Sequence, residues 1–317
     1  MKKFILVLVI LLSLCGCKKE EAKEESIYSN IGIVAPTGAP SLAFINYIDD
    51  PSFETNSTPS NILSMMSEKS DKRIVVIDVT SGIKAINQGA PYKLAAILTF
   101  GNFYIASTGN DDNGQMDEND KIILFGQNMI PDTIFHYLFK DKYDSSIEYV
   151  SAVSDAGKCL AAGKNLETGN DVDYVFMAEP VLSTVLNNEK APTYKKASIY
   201  MNIQEEYKRK SGLDLIQAGL FVKDDGYIED HDDFYKHFSE SVNKILTDSE
   251  YVNSYLEGKA DEEVSSIFGV NSKLINMALK TNSIGLGFKN AYYEITDIRE
   301  FVKLFGIESV NEEIFFK

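Results

Sequence analysis

Short apolar runs alternate with amphipathic stretches along most of the chain, and the period of each run decides the element it predicts. Residues 31–35 form a continuous apolar run that reads as a buried strand, ending in Pro36-Thr37-Gly38-Ala39-Pro40 before a helix over 41–47. An amphipathic helix capped near Ser60 follows, then a strand over 74–79, a helix over 81–88 stopped by Gly89-Ala90-Pro91, and a strand over 93–100. Residues 103–107 are extended again. The rhythm then repeats: strands over 121–125, 147–150 and 174–177 each run through a short loop into a helix, the helices covering 132–139, 155–162 and a stretch ending at Leu186. After a loop and a polar helix, 216–222 is extended, and 232–317 is mostly helical, with the patterns FYKHFSESVNKIL and DIREFVKLFGI. This β-α-β order predicts an α/β protein with doubly wound sheets whose strand C-termini face a shared crevice.

The N-terminus has a different pattern. Met1-Lys2-Lys3 precedes an apolar run over 4–12 and then Leu14-Cys15-Gly16-Cys17. The run is too short to cross ~30 Å of hydrocarbon and is followed at once by Lys18, Lys19 and a Glu-rich stretch, so it reads as an export signal over 1–16. Leu14 and Gly16 before Cys17 resemble the lipobox of bacterial lipoproteins, with Cys15 an unusual residue at the middle position. The resemblance implies a diacylglycerol on the Cys17 sulfur and a protein anchored to the outer side of the cell membrane; two or three chains, at ~0.8 kcal/mol per buried methylene, hold durably. Residues 17–27 then form a solvated tether.

About 290 residues remain, enough for two lobes. The formal charge of −16 becomes −18 without Lys2 and Lys3, and no basic stripe exists, which excludes nucleic acid as a partner. Cys159 is the one cysteine left in the body and reads as a small buried apolar residue. The three histidines are not spaced as a metal set, no cofactor is expected, and no G-x-S-x-G, Walker or G-x-G-x-x-G motif occurs.

The loop APTGAPS after the first strand, the strand running into DVTSG, the Phe-Gly-Asn turn and the later strand ending in AEP, behind a lipobox, together resemble the type 2 solute-binding proteins of ABC importers, in the branch with sulfonate, nitrate, taurine and thiamine-pyrimidine-precursor binders. The resemblance covers the mature chain and implies two lobes, 28–103 plus 222–317 and 104–221, each a mixed sheet flanked by helices. It also implies a monomer that closes on a small molecule by hinge motion and delivers it to a permease, without bond-making chemistry. An enzyme on the same fold and a lipoprotein sensor or adhesin are the alternatives.

Candidate ligand residues follow from strand-end loops. Thr37, Gly38 and Ser41 offer hydroxyls and backbone N–H groups at a helix start, or else form a tight turn. Ser81 offers the same chemistry or serves as an N-cap. Gln127, Asn128 and Ser154 occupy the matching loops of the second block; Phe100, Asn102 and Phe103 lie where the chain crosses between lobes; Tyr292 stands ready to close a lobe edge. Glu179 before Pro180 is costly to bury unpaired, so it either bridges to the other lobe or meets a cationic or N–H-rich ligand. Only three arginines exist, none in a strand-end loop, which favours a neutral or cationic, partly aromatic solute. The acidic segment 109–120 is similar to a calcium loop but lacks its first and last ligands.

Overall fold

The computed structural model describes residues 28–111 and 114–317. The signal over 1–16, Cys17 and the tether to residue 27 lie outside the described residues.

Two mixed sheets carry the architecture. The first contains β1 (Ile33–Pro36), β2 (Phe53–Asn56), β3 (Ile74–Asp78), β4 (Tyr92–Thr99), β10 (Ala218–Lys223) and β11 (Leu286–Asn290), in the order β11-β4-β10-β3-β1-β2. The second contains β5 (Phe103–Ser107), β6 (Ile122–Phe125), β7 (Ile147–Val150), β8 (Tyr174–Ala178) and β9 (Ser198–Asn202), in the order β7-β6-β8-β5-β9. In the first sheet β1 runs parallel to β2 and β3, while β10 lies antiparallel between β3 and β4. In the second, β6 is parallel to β7 and β8, and β5 is antiparallel to β8 and β9.

Central strands are buried on both faces, which is why they read as unbroken apolar runs. Alternation then sends neighbouring side chains to opposite faces. Val75 and Ile77 of β3 join a cluster that continues through Phe103, Ile105, Ile122 and Phe176 of the second sheet; Ile74 and Val76 pack instead with Phe234, Phe238 and Val242. Those three residues belong to the helix His231–Thr247, whose buried positions Phe234, Phe238, Ser241, Val242 and Ile245 repeat at helical spacing, with Asp230 as its N-cap. On the far face of the second sheet, Ile123 and Val175 pack with Cys159 and Leu160, so Cys159 is the buried apolar residue expected.

The predicted elements are present with shifted ends. The segment after β1 is a 3-10 helix, Ala39–Tyr47, opened by a proline in its first turn. The helix after β3 starts at Val79, earlier than predicted, because the Oδ1 of Asp78 accepts from the Ser81 N–H at 2.8 Å. Ser81 is therefore not the N-cap; Asp78 is. Three strands absent from the pattern reading, β2, β9 and β11, are all sheet edges.

Candidate functional site

Where the chain passes between the sheets, side-chain amides replace regular strand pairing. Gln217 accepts from the Gly101 N–H through Oε1 at 2.9 Å and donates from Nε2 to Asn102 Oδ1 at 2.8 Å. Asn102 Nδ2 donates to the Glu179 carbonyl at 2.9 Å, and the Glu179 N–H returns a bond to the Asn102 carbonyl. Thr99 Oγ1 accepts from the Ala218 N–H at 2.9 Å. The network thus ties the end of β4, the start of β5, the end of β8 and the start of β10. Tyr104 adds a link, donating its hydroxyl to the Ser283 carbonyl at 3.0 Å; burial, with Glu179 and Glu205 nearby, pushes its phenol up to about 12, which keeps it a neutral donor.

A cavity of about 300 Å³ opens beside this network, between the sheets. Its walls come from the C-terminal ends of β1 (Pro36), β3 (Ile77, Asp78), β4 (Thr99), β6 (Phe125) and β8 (Ala178), and from the first residues of β5 and β10, Phe103 and Ala218. Open α/β sheets place ligands at such strand ends. Prolines 40, 59 and 131 line it too, each in the first turn of a helix, and Met129, Ile130 and Phe305 complete an apolar rim. Polar groups are few: Asp78, Thr80, Ser81, Lys84, Thr99, Asn102, Asn128 and Gln217. A mostly apolar hollow with a few fixed polar groups suits a small organic ligand. A second, more open hollow of about 540 Å³ on the first-sheet side shares Ser81 and Lys84 but reaches no strand end across the cleft.

Of the twelve residues the sequence singled out, the structure brings Ser81, Asn102, Phe103 and Asn128 to this cavity. The others do not line it. Ser41 is fully buried and gives its hydroxyl to the Gly38 carbonyl at 2.7 Å; the Thr37 N–H bonds the Asn56 carbonyl and the Ser41 N–H the Gly38 carbonyl, so these groups of Thr37 and Ser41 are engaged within the turn. Phe100 lies under the Lys289 ammonium, 5.0 Å from its ring centre. Gln127 and Ser154 are exposed outside the cavity, and Tyr292 is half-buried beside Lys317. Glu179 is buried, but its carboxylate accepts the Ser183 N–H at 2.9 Å and the Ser183 hydroxyl at 2.7 Å, capping the next helix. It neither bridges to the other sheet nor faces the cavity, so the preference drawn from it loses that support.

Sequence reading missed Asp78, Lys84, Thr99, Gln217 and Phe305. Asp78 carried a signal, an acidic residue at a strand end three positions before a helical Ser81; Phe305 carried none, since only the fold returns the last helix to the cleft. Ser81 and Lys84 have the S-x-x-K spacing of some acyl-transfer nucleophiles, yet no hydrogen bond joins them. In the acidic segment, Asp111 accepts from the Tyr174 hydroxyl at 2.7 Å and Asp120 from the Asp117 N–H; among the described residues no group of three acidic, histidine or cysteine side chains is placed to hold a metal.

No family model and no curated protein matches the chain. Solved structures do. An ABC transporter protein from Parabacteroides distasonis superposes with a TM-score of 0.71 at 15% identity, over 91% of this chain and 99% of that one. The periplasmic aliphatic sulphonate binding protein SsuA from Escherichia coli gives 0.60 at 12% identity over 87% of each chain. A Candida albicans gene product, described as having the generic periplasmic binding protein structural fold, gives 0.51 at 12% identity over 90% of this chain and 92% of that one. This chain has the periplasmic binding protein fold. The amides of Asn102 and Gln217 lie where the chain passes between the two sheets of that fold.

Proposed function

We propose that this chain is a lipid-anchored extracytoplasmic substrate-binding protein of an ABC importer, which takes a small organic solute between two lobes and hands it to a permease. The observation that carries this reading is the cavity bounded by strand ends of both sheets, beside the two passages of the chain between them. We assign one lobe to each sheet, with the passages at Gly101–Asn102 and Gln217 as hinge, a few residues before the 103/104 and 221/222 boundaries expected from the sequence, because β5 starts at Phe103 and β10 at Ala218. Closure about them would bury a solute and present a new face to the permease. The neighbours in fold named as transporter components support the role. The cavity lining includes no histidine or cysteine and joins no nucleophile to a base, which favours binding over catalysis. The protein acts as a monomer, held at the membrane through Cys17.

A thermal-shift screen of residues 28–317 against vitamins and their precursors, nucleobases, amino acids, polyamines, sulfonates and nitrate tests the reading, since a ligand of the folded form alone raises the melting temperature. A saturable shift from one solute is the expected result. Silence across the panel would favour a sensor or adhesin.

A further inference from the structure

The cavity contains one carboxylate, and half of it is in use. Asp78 Oδ1 accepts both the Ser81 N–H at 2.8 Å and the Thr80 hydroxyl at 2.7 Å, which fixes the plane of the group and caps the helix Val79–Asn87. Oδ2 has no partner among the described residues. The one ammonium on the lining, Lys84, makes no ion pair with it. A half-buried carboxylate on the wall of a small, mostly apolar hollow, with its second oxygen unpartnered, is stabilised by any N–H group that reaches it, more so by a cation.

The rest of the lining argues in the same direction. An anion would look for backbone N–H groups at the helix starts around the cleft, but Pro40, Pro59 and Pro131 remove a donor from the first turn of three of them. The Asn128 N–H is spent on Asp132 Oδ2 at 2.7 Å, and no arginine lines the cavity. What remains for an acceptor on the solute is the Lys84 ammonium, the side-chain amide of Asn128, the second N–H of each hinge amide, Asn102 and Gln217, and the Ser81 and Thr99 hydroxyls. The lining thus also leaves room for an acceptor elsewhere on a solute whose donor meets Asp78.

Resting on the binding reading above, we infer that Asp78 Oδ2 is the charge-selecting contact of the cleft, and that the solute carries a cationic or N–H-donating group against it. The clean variant is Asp78→Asn: asparagine caps a helix as well as aspartate, so Oδ1 chemistry persists while the charge and the free acceptor go. Asp78→Ser, also a good cap, guards against a folding fault specific to the amide.

The mature chain in detergent would be titrated with benzamidine and benzylamine as cations, and with benzoate and benzenesulfonate as anions on the same ring. The cations should raise the melting temperature saturably and the anions should not. Asp78→Asn and Asp78→Ser should leave the unliganded melting temperature in place and weaken cation binding about ten- to hundredfold, the range of a hydrogen bond to a charged group. Binding of an anion in preference to the cations, or cation binding equal in both variants and the parent, would overturn the role of Asp78 while leaving solute capture intact. Silence from these probes and from the wider panel would overturn both.

Discussion

Where the chain passes between the sheets, two amide side chains hold four strand ends, and none of their partners has a second hydrogen bond in place among the described residues. Gln217 is 9% exposed, and its loss strands the Gly101 N–H and Asn102 Oδ1 away from water. Gln217→Ala is therefore expected to cost about 2–4 kcal/mol, since each buried polar group left unpaired costs roughly 1–3 kcal/mol, whereas Gln127→Ala on the surface should fall within about 0.5 kcal/mol. Urea unfolding of the two variants side by side checks this; equal midpoints would show that the network carries no stability. At this scale the sequence was least informative. Glu179 was singled out as a charge needing a partner, and it has one, Ser183, four residues along its own chain; Asp78 was passed over because which of its oxygens remains open depends on how β3 meets the cleft. Amphipathic spacing says which face of an element is buried, not toward which cavity a polar side chain is turned.

Elements were far more legible than sites. Both β5 (FYIAS) and β7 (IEYV) match their predicted spans, because each is rich in β-branched and aromatic residues between turn residues. The strands that escaped, β2 (FETN), β9 (SIYMN) and β11 (LGFKN), pair on one side only and expose much of their surface, so their sequences lack the continuous apolar run of a central strand. Gly287 inside β11 weakens the signal further. Just before β11, Gly285 has φ +61° and accepts the Phe100 N–H on its carbonyl, and a Cβ there would stand 2.3 Å from the Gly101 carbonyl oxygen. Gly285→Ala must move the β4–β5 passage or strain against it. A left-handed alanine alone costs about 1–2 kcal/mol, and the displaced passage should also weaken binding of whichever solute the screen identifies. Calorimetry with that solute separates the two effects: a stability loss with unchanged affinity would mean that the hinge tolerates the shift.

The order of the strands in the whole molecule was partly readable, because two β-α-β blocks in tandem followed by a helical tail admit few topologies. That β10 would insert antiparallel between β3 and β4 was not, since it depends on the return of the chain after the long excursion over 100–217. The proposed membrane attachment belongs to this scale too. Replacing Cys17 by Ser removes the acyl acceptor but nothing in the described body, so the variant should shift from the membrane to the soluble fraction of the producing cell with an unaltered melting temperature. Persistence in the membrane fraction would point to another anchor.

The three prolines at the cleft helices have an evolutionary consequence. Where a pocket binds through main-chain amides, a change of ligand requires a change of loop shape. Here each proline removes one first-turn amide, and the polar groups on the lining are mostly side chains on a fixed frame. If the binding proposal holds, relatives with this frame can diverge in what they bind by point substitutions at positions such as 78, 84 and 128, keeping the same backbone. Selectivity in such a lineage would drift quickly while architecture stays still.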